Sequence, residues 1–289
     1  GIYEILVMKN LFRVACLQTK VVPSFDEAIA EADELARLAV LDGAKFLFLP
    51  EYCGGLKSKK AIFCPPVAAE ESHPFLKHFI KFAQKEEVWV MIGSLAIEGF
   101  EGKYFNRGFI ISDSGKLVSR YDKIHLFDIT LSSGEVYKES STVIAGKSIA
   151  AVETAFGKLG HTICYDLRFP MIFRELAQQG AEILAIPSAF TKFTGALHWH
   201  VLNRARAIEN TSYVISPCAT GAISGGGEAY GHSLIVDPWG KIIQDAGESR
   251  GIVIAELDTD KVKSVRSQIP SLLHDKKFEI YTVDEQSVA

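Results

Sequence analysis

The sequence predicts an α/β fold: a four-layer α-β-β-α sandwich with internal pseudo-two-fold symmetry. Three observations carry this. The chain has 289 residues, 48% of them hydrophobic, enough for a large buried core. Segments of strand-like and helix-like periodicity alternate along it. The order strand, helix, strand, hairpin then returns in the second half. Two similar halves, each laying helices beside a sheet, pack with the sheets face to face, the helices outside and one shared core. No Gly/Ser/Pro-rich linker divides them.

The first half opens with an apolar strand, Phe12 to Gln18. Ser24 and Glu27 form an S-x-x-E capping box, which starts a helix running to Gly43. A strand from Lys45 to Leu49 ends at Pro50-Glu51, so Glu51 stands just beyond a strand's carboxyl end, where open α/β sheets place their chemistry. Pro74 begins a helix whose Phe75, Phe79 and Phe82 recur at helical spacing and read as core. Val88 to Ser94 follows as a strand. Asn106–Ser112 and Lys116–Tyr121 flank the turn residues Asp113-Ser114-Gly115 as a hairpin, with Lys123 directly after it.

The second half repeats the plan. Lys158 to Cys164 reads as a strand, Met171 to Gln179 as a helix stopped by Gly180, and Glu182 to Pro187 as a strand. A helix around Trp199 to Glu209, a strand Tyr213–Ala219 and a hairpin across Pro238-Trp239-Gly240 complete it. Ser224-Gly225-Gly226-Gly227 reads as a mobile loop. It lacks the Lys-Ser/Thr of a phosphate-binding loop and the spacing of a dinucleotide fingerprint.

Composition excludes several classes. A net charge of −4 with scattered basic residues gives no footprint for nucleic acid or an anionic membrane. Five cysteines at irregular spacing, without a CxxC pair, form neither a disulfide framework nor a structural zinc site. That usage suits a reducing compartment. With no secretory leader and no bilayer-spanning stretch in view, the protein is expected in the cytoplasm. Residues 1–10 read as an N-terminal extension or foreign remnant, 11–282 as one domain and 283–289 as a tail.

The most informative segment is Ile163-Cys164-Tyr165-Asp166-Leu167-Arg168-Phe169-Pro170, where a strand ends on a cysteine and a helix begins within a few residues. A sharp strand-to-helix turn exposes the side chain, directs backbone N–H groups at a reacting carbonyl and lets the helix dipole favour thiolate. Taken alone, such a cysteine is more often a small buried hydrophobe. Leu49-Pro50-Glu51-Tyr52 and Arg120-Tyr121-Asp122-Lys123-Ile124-His125-Leu126 add an acid and a base at strand ends elsewhere.

Together these three segments resemble the Glu-Lys-Cys signatures of the nitrilase superfamily of carbon-nitrogen hydrolases. The resemblance runs from Phe12 through Tyr281. Through CYDLRFP, KIHLFD, the HW pair and DPWG it is greatest to the branch containing deaminated glutathione amidases and omega-amidases. It implies the sandwich of that family, Cys164 as nucleophile, Glu51 as general base and later acid, and Lys123 as oxyanion stabiliser beside the Tyr165 backbone N–H. Glu139 would be a second carboxylate ordering the site. A homodimer or higher even oligomer is also implied, acting on a small amide with no cofactor and no metal.

Substrate contacts are read more thinly. Arg168 suits a bidentate pair with a substrate carboxylate, or an internal salt bridge with Asp166 or Glu175. Phe190 and Thr194 match pocket-lining positions of that branch, and His198 is read as ordering the loop or touching substrate. Where many relatives carry Thr-Gly-Pro-Ala-His-Trp, this chain has Thr194-Gly195-Ala196-Leu197-His198-Trp199, a departure that bears on the pocket's shape. His198 and His200 alternate, but with no third ligand in view they do not make a metal site. The rival readings are a nitrilase or N-carbamoyl amidohydrolase on the same scaffold and, from another class, a non-catalytic binding or regulatory protein.

Overall fold

The computed structural model describes residues 11–284; the expected N-terminal extension and the end of the expected tail, residues 285–289, lie outside the described residues. Twelve strands and five helices build the frame: β1 (Leu11–Gln18), α1 (Phe25–Leu41), β2 (Phe46–Phe48), α2 (Pro74–Glu86), β3 (Trp89–Glu98), β4 (Tyr104–Ile111), β5 (Leu117–Asp122), β6 (Ala151–Thr154), β7 (Gly157–His161), α3 (Pro170–Gln178), β8 (Ile183–Ala185), α4 (Lys192–Asn210), β9 (Tyr213–Ser216), β10 (Leu234–Val236), β11 (Ile242–Asp245), β12 (Gly251–Asp258) and α5 (Thr259–Gln268).

Two six-stranded sheets result, ordered β12-β1-β2-β3-β4-β5 and β6-β7-β8-β9-β10-β11. In each, the first pair is antiparallel, the next two are parallel and the last two are antiparallel. This shared pattern is the predicted internal symmetry. One feature breaks it: β12 crosses from the chain's end to edge the first sheet, pairing along all of β1 from Leu11↔Asp258 to Gln18↔Gly251.

Instead of one undivided core there are three apolar layers. Phe12, Phe46, Phe48, Met91, Ile183, Ile215 and Leu257 are among those filling the space between the sheets. The other face of the first sheet packs on α1 and α2 through Leu35, Phe75 and Phe79. That of the second sheet packs on α3 and α4 through Phe173, Leu176 and Trp199. The central strands β2 and β8 are buried throughout, as strands covered on both faces must be.

Local signals behave as their chemistry requires. The Ser24 side chain accepts from the Glu27 backbone N–H at the start of α1, and Pro74 opens α2. Helix α4 begins at Lys192, seven residues before the expected Trp199, and takes Gly195 into its first turn. A Cβ there would lie 2.5 Å from the Tyr230 ring. The Gly225–Gly227 stretch, read from sequence as a mobile loop, is the tip of a small hairpin between Thr220–Ala222 and Glu228–Tyr230, where the Ser224 carbonyl accepts from Ser58 N.

His161 ends β7 and joins the two sheets directly: its Nε2 donates to the Gly93 carbonyl of β3 at 3.1 Å. Gly108 backs it so closely that a Cβ would stand 2.3 Å from the ring. Burial pushes the His161 pKa down to about 4. The folded chain therefore keeps the ring neutral, while the unfolded chain takes up a proton below about 6.5. Stability is accordingly lost as pH falls from about 6.5 towards 4. In His161→Gln, the slope of unfolding free energy against pH across that window, measured by urea denaturation, should flatten by about one proton. An unchanged slope would place the proton uptake elsewhere.

Candidate active site

Four strand ends deliver the expected residues to one place. Glu51 follows β2, Lys123 follows β5, Cys164 follows β7, and Ala189 lies beyond β8. Glu51, Lys123, Cys164 and Ala189 line a single cavity, together with Tyr165, Arg168, Phe190 and Thr194. Every residue singled out from the sequence is thus in or beside this cavity. Glu139 stands behind Lys123, and His198 touches the wall through Arg168.

Lys123 is buried, with 2% of its side chain exposed. Its Nζ donates to Glu51 Oε2 at 3.1 Å and to Glu139 Oε1 at 2.9 Å. Burial works against its charge, but Glu139 and Glu51, with Cys164 adding, outweigh it and hold the ammonium's pKa well above normal. Each carboxylate has further donors. Asn106 Nδ2 bonds both, at 2.9 Å to Glu51 and 3.3 Å to Glu139. The Ala189 N–H reaches Glu51 Oε1, the Phe127 N–H reaches Glu139 Oε1, and the Tyr52 hydroxyl donates to Glu139 Oε2. Buried charges this well bonded have fixed positions.

Cys164 opens a short 3₁₀ turn, Cys164–Arg168, with φ at +46°. The left-handed region costs a non-glycine residue roughly 1 kcal/mol or more, and here its neighbours hold it. The Cys164 N–H is tied to the Pro187 carbonyl at 2.9 Å. Buried Asp166 clamps the turn from beneath, accepting from Ile163 N, Tyr121 Oη, His125 N and His125 Nδ1. Tyr165, second in the turn, has no acceptor for its N–H within the turn.

The expectation of a thiolate favoured by a helix dipole is corrected. The turn is short, and burial, joined by the charge of Glu51, raises the Cys164 pKa well above its usual value, with Lys123 only partly opposing. At rest Cys164 is held as a thiol.

Arg168 makes neither internal salt bridge considered for it, since Asp166 is occupied by Tyr121 and His125. Among the described residues Arg168 makes no ion pair. Its guanidinium lies over the Phe190 ring, 5.5 Å from the centroid, and donates to His198 Nδ1 at 3.1 Å. His198 therefore accepts at Nδ1. Thr194 sits in the first turn of α4, its hydroxyl 2.5 Å from that of Thr191. Ala196 and Leu197, the departure in sequence, are exposed and do not line the cavity.

Sequence reasoning missed Asn106, Tyr52, the Asp166–His125 clamp and the two backbone donors of Ala189 and Phe127. Asn106 and the backbone groups carry no local signal. Their roles exist only once distant strand ends meet. Asp166 and His125 stood inside the segments already singled out, the first next to Tyr165 and the second two residues after Lys123.

With the thiol protonated, the ultraviolet difference between the protein and its Cys164→Ala variant should show no thiolate absorbance until the pH exceeds about 9. Thiolate absorbance at neutral pH would contradict the burial argument.

Residues 13–267 match the carbon-nitrogen hydrolase family. The chain is 42% identical over 268 residues to a deaminated glutathione amidase of Synechocystis sp., covering 91% of this chain and 97% of that one. It is 33% identical over 277 residues to the omega-amidase NIT2 of Mus musculus, covering 96% and 99%. Among solved structures, Nit3 of Saccharomyces cerevisiae, a member of branch 10 of the nitrilase superfamily, superposes with a TM-score of 0.79 at 30% identity over 90% of this chain and 95% of that one. The NitFhit protein of C. elegans gives 0.84 at 30% identity; 92% of this chain is covered, but it spans 65% of that protein. A fold with this strand order, a cysteine on a strained turn beside buried acid and base, and likeness along nearly its whole length place the chain in the carbon-nitrogen hydrolase family, as an amidohydrolase with a cysteine nucleophile.

Proposed function

We propose that the protein hydrolyses the terminal amide of a small carboxylate-bearing compound to acid and ammonia through a thioester on Cys164. One observation carries this: Cys164, Glu51 and Lys123 face one cavity whose wall also presents the Arg168 guanidinium, without a carboxylate partner among the described residues. A substrate carboxylate would supply that partner in bidentate form.

Glu51 accepts the thiol proton as sulfur attacks the amide carbon, and the carbonyl electrons move onto oxygen. Lys123 Nζ and the Tyr165 N–H hold that oxyanion, an arrangement in which each donor is typically worth about 3 kcal/mol. The tetrahedral species collapses, the carbon-nitrogen bond breaks, and Glu51 returns the proton to the leaving ammonia. Water then attacks the thioester, giving a proton to Glu51. On collapse sulfur leaves and recovers the proton. Glu139, tied to Lys123 and Asn106, positions the ammonium rather than touching substrate.

Phe190 and Thr194 bound the acyl portion, and His198 holds Arg168 in line. A second chamber of about 230 Å³ shares Phe63 and Thr191 with the inner cavity and continues outward past Tyr137, Lys192 and Gly226. This room supports a substrate longer than the atoms around one amide. The relatives named as deaminated glutathione amidase and omega-amidase support the same class.

Assembly and location belong to the same reading. On α4, Phe193, Leu197 and Val201 recur every four residues and are 60–66% exposed, with Ile208 continuing the stripe. Of the apolar residues expected on α3, Ile172 and Leu176 face their own sheet, while Met171 is exposed. Isologous contact through the α4 stripe would bury it and yield a homodimer. All five cysteines are free, which supports a reducing cytoplasm.

Three outcomes are expected. In a panel of keto-acid amides, deaminated glutathione, neutral amides, nitriles and carbamoyl compounds, carboxylate-bearing amides should be hydrolysed best, and Cys164→Ala should abolish turnover while circular dichroism stays native. Preference for nitriles or carbamoyl compounds would move the assignment within the scaffold. Arg168→Lys should lower kcat/KM for a carboxylate-bearing amide by roughly tenfold more than for a neutral one; equal losses would make Arg168 structural. By light scattering, the chain should have the mass of a dimer or an even multiple, reduced in Leu197→Asp/Val201→Asp; an unaltered mass would exclude the α4 stripe as the contact.

A further inference from the structure

His200 showed no third ligand in sequence, yet the fold supplies two partners from distant segments. His200 lies on α4, His232 in the turn before β10, and Asp245 is the last residue of β11. His200 Nε2 stands 2.8 Å from Asp245 Oδ2, and His232 Nδ1 stands 2.9 Å from Asp245 Oδ1. The three donor atoms all lie within 4.8 Å of one another. None of these residues has a part in the proposed reaction.

The groups around them fix two of the three. His232 has φ at +51°, a conformation held from both sides: its N–H donates to the Gly247 carbonyl at 2.7 Å, and its own carbonyl accepts from Trp199 Nε1 at 2.8 Å. That backbone turn aims Nδ1 at Asp245. The Tyr230 ring stacks on the imidazole at 4.4 Å. Asp245 Oδ1 is further anchored by the Gly247 N–H. Such outer contacts set ring orientation and tautomer, which is what metal-ligating histidines need. Burial opposes the Asp245 charge, but the Gly247 amide and both imidazoles hold its pKa below normal, so the carboxylate is ionised.

We propose that His200, His232 and Asp245 bind a divalent transition-metal ion of the zinc type, with a fourth position open to water. Two imidazoles and one carboxylate are a borderline donor set that suits zinc, cobalt or nickel over magnesium or calcium. Ligand atoms around a tetrahedral zinc are about 3.3 Å apart, so to admit the ion the two short contacts to Asp245 must lengthen and the widest separation of the trio, within 4.8 Å, must close. Each imidazole then moves its proton to its other nitrogen, and nothing else is gained or lost. The ion would staple α4, whose first turn carries Thr194, to the outer strand of the second sheet.

The test uses the full chain, stripped with a chelator and titrated with Co²⁺. One equivalent should bind with the visible spectrum of a nitrogen and oxygen site and no thiolate-to-cobalt charge transfer. Saturating Zn²⁺ should raise the melting temperature by about 5 °C. His200→Gln and His232→Gln should each weaken Co²⁺ binding at least tenfold and erase the melting shift. Asp245→Asn, nearly isosteric, should do the same without loss of circular dichroism. Absence of binding, a thiolate charge-transfer band, or unchanged affinity in the three variants would overturn the site. Binding is read without turnover, so this result stands or falls separately from the amidase proposal.

Discussion

A lysine ammonium with almost no access to water is the constraint around which the rest of the molecule is arranged. Lys123 keeps its charge because Glu51 and Glu139 are placed against it, and Asn106, Tyr52 and two backbone N–H groups complete the bonding of those carboxylates. Removing one member of such a cluster leaves an uncompensated buried charge, a loss typically of about 3–5 kcal/mol. The cluster draws on β2, β4, β5 and the segment after β8, and so binds the two sheets to each other as well as forming chemistry.

That dependence explains why the strands end where they do. In each half the two parallel pairings bring three carboxyl ends side by side, and the face-to-face packing sets those ends against one another. Chemistry collects where both sets of ends meet. The crossing of β12 onto β1 ties the chain's end to its beginning and closes the first sheet at its edge. The His161 to Gly93 bond spans the gap between sheets close to the nucleophile turn. The site is therefore rigid by construction, with its charged groups oriented before substrate arrives.

Much of this was legible in the sequence, for identifiable reasons. Periodicity and caps reveal elements because they act within a few residues: Ser24 and Pro74 each start a helix where their chemistry demands. The repeated order of elements revealed the layers. Glu51, Lys123 and Cys164 were legible because each ends a strand within a distinctive segment. Asn106 was not, since an asparagine in a strand acquires meaning only from what lies opposite. The thiol's protonation state was also hidden, since burial is a property of the assembled site. His200 was dismissed for lack of a third ligand because His232 and Asp245 lie 32 and 45 residues further on.

The resting thiol has a consequence for survival in the cell. Peroxide and electrophiles attack thiolates, and a cysteine that stays protonated climbs the oxidation ladder slowly. In the proposed reaction the proton leaves only when an amide occupies the cavity, which would restrict the reactivity of Cys164 to the moment of use. The other side of that arrangement is selectivity toward covalent inhibitors: a reagent must first fit the cavity and engage Glu51 before the sulfur will respond, so shape, and not electrophilic strength, should govern which compounds inactivate this protein.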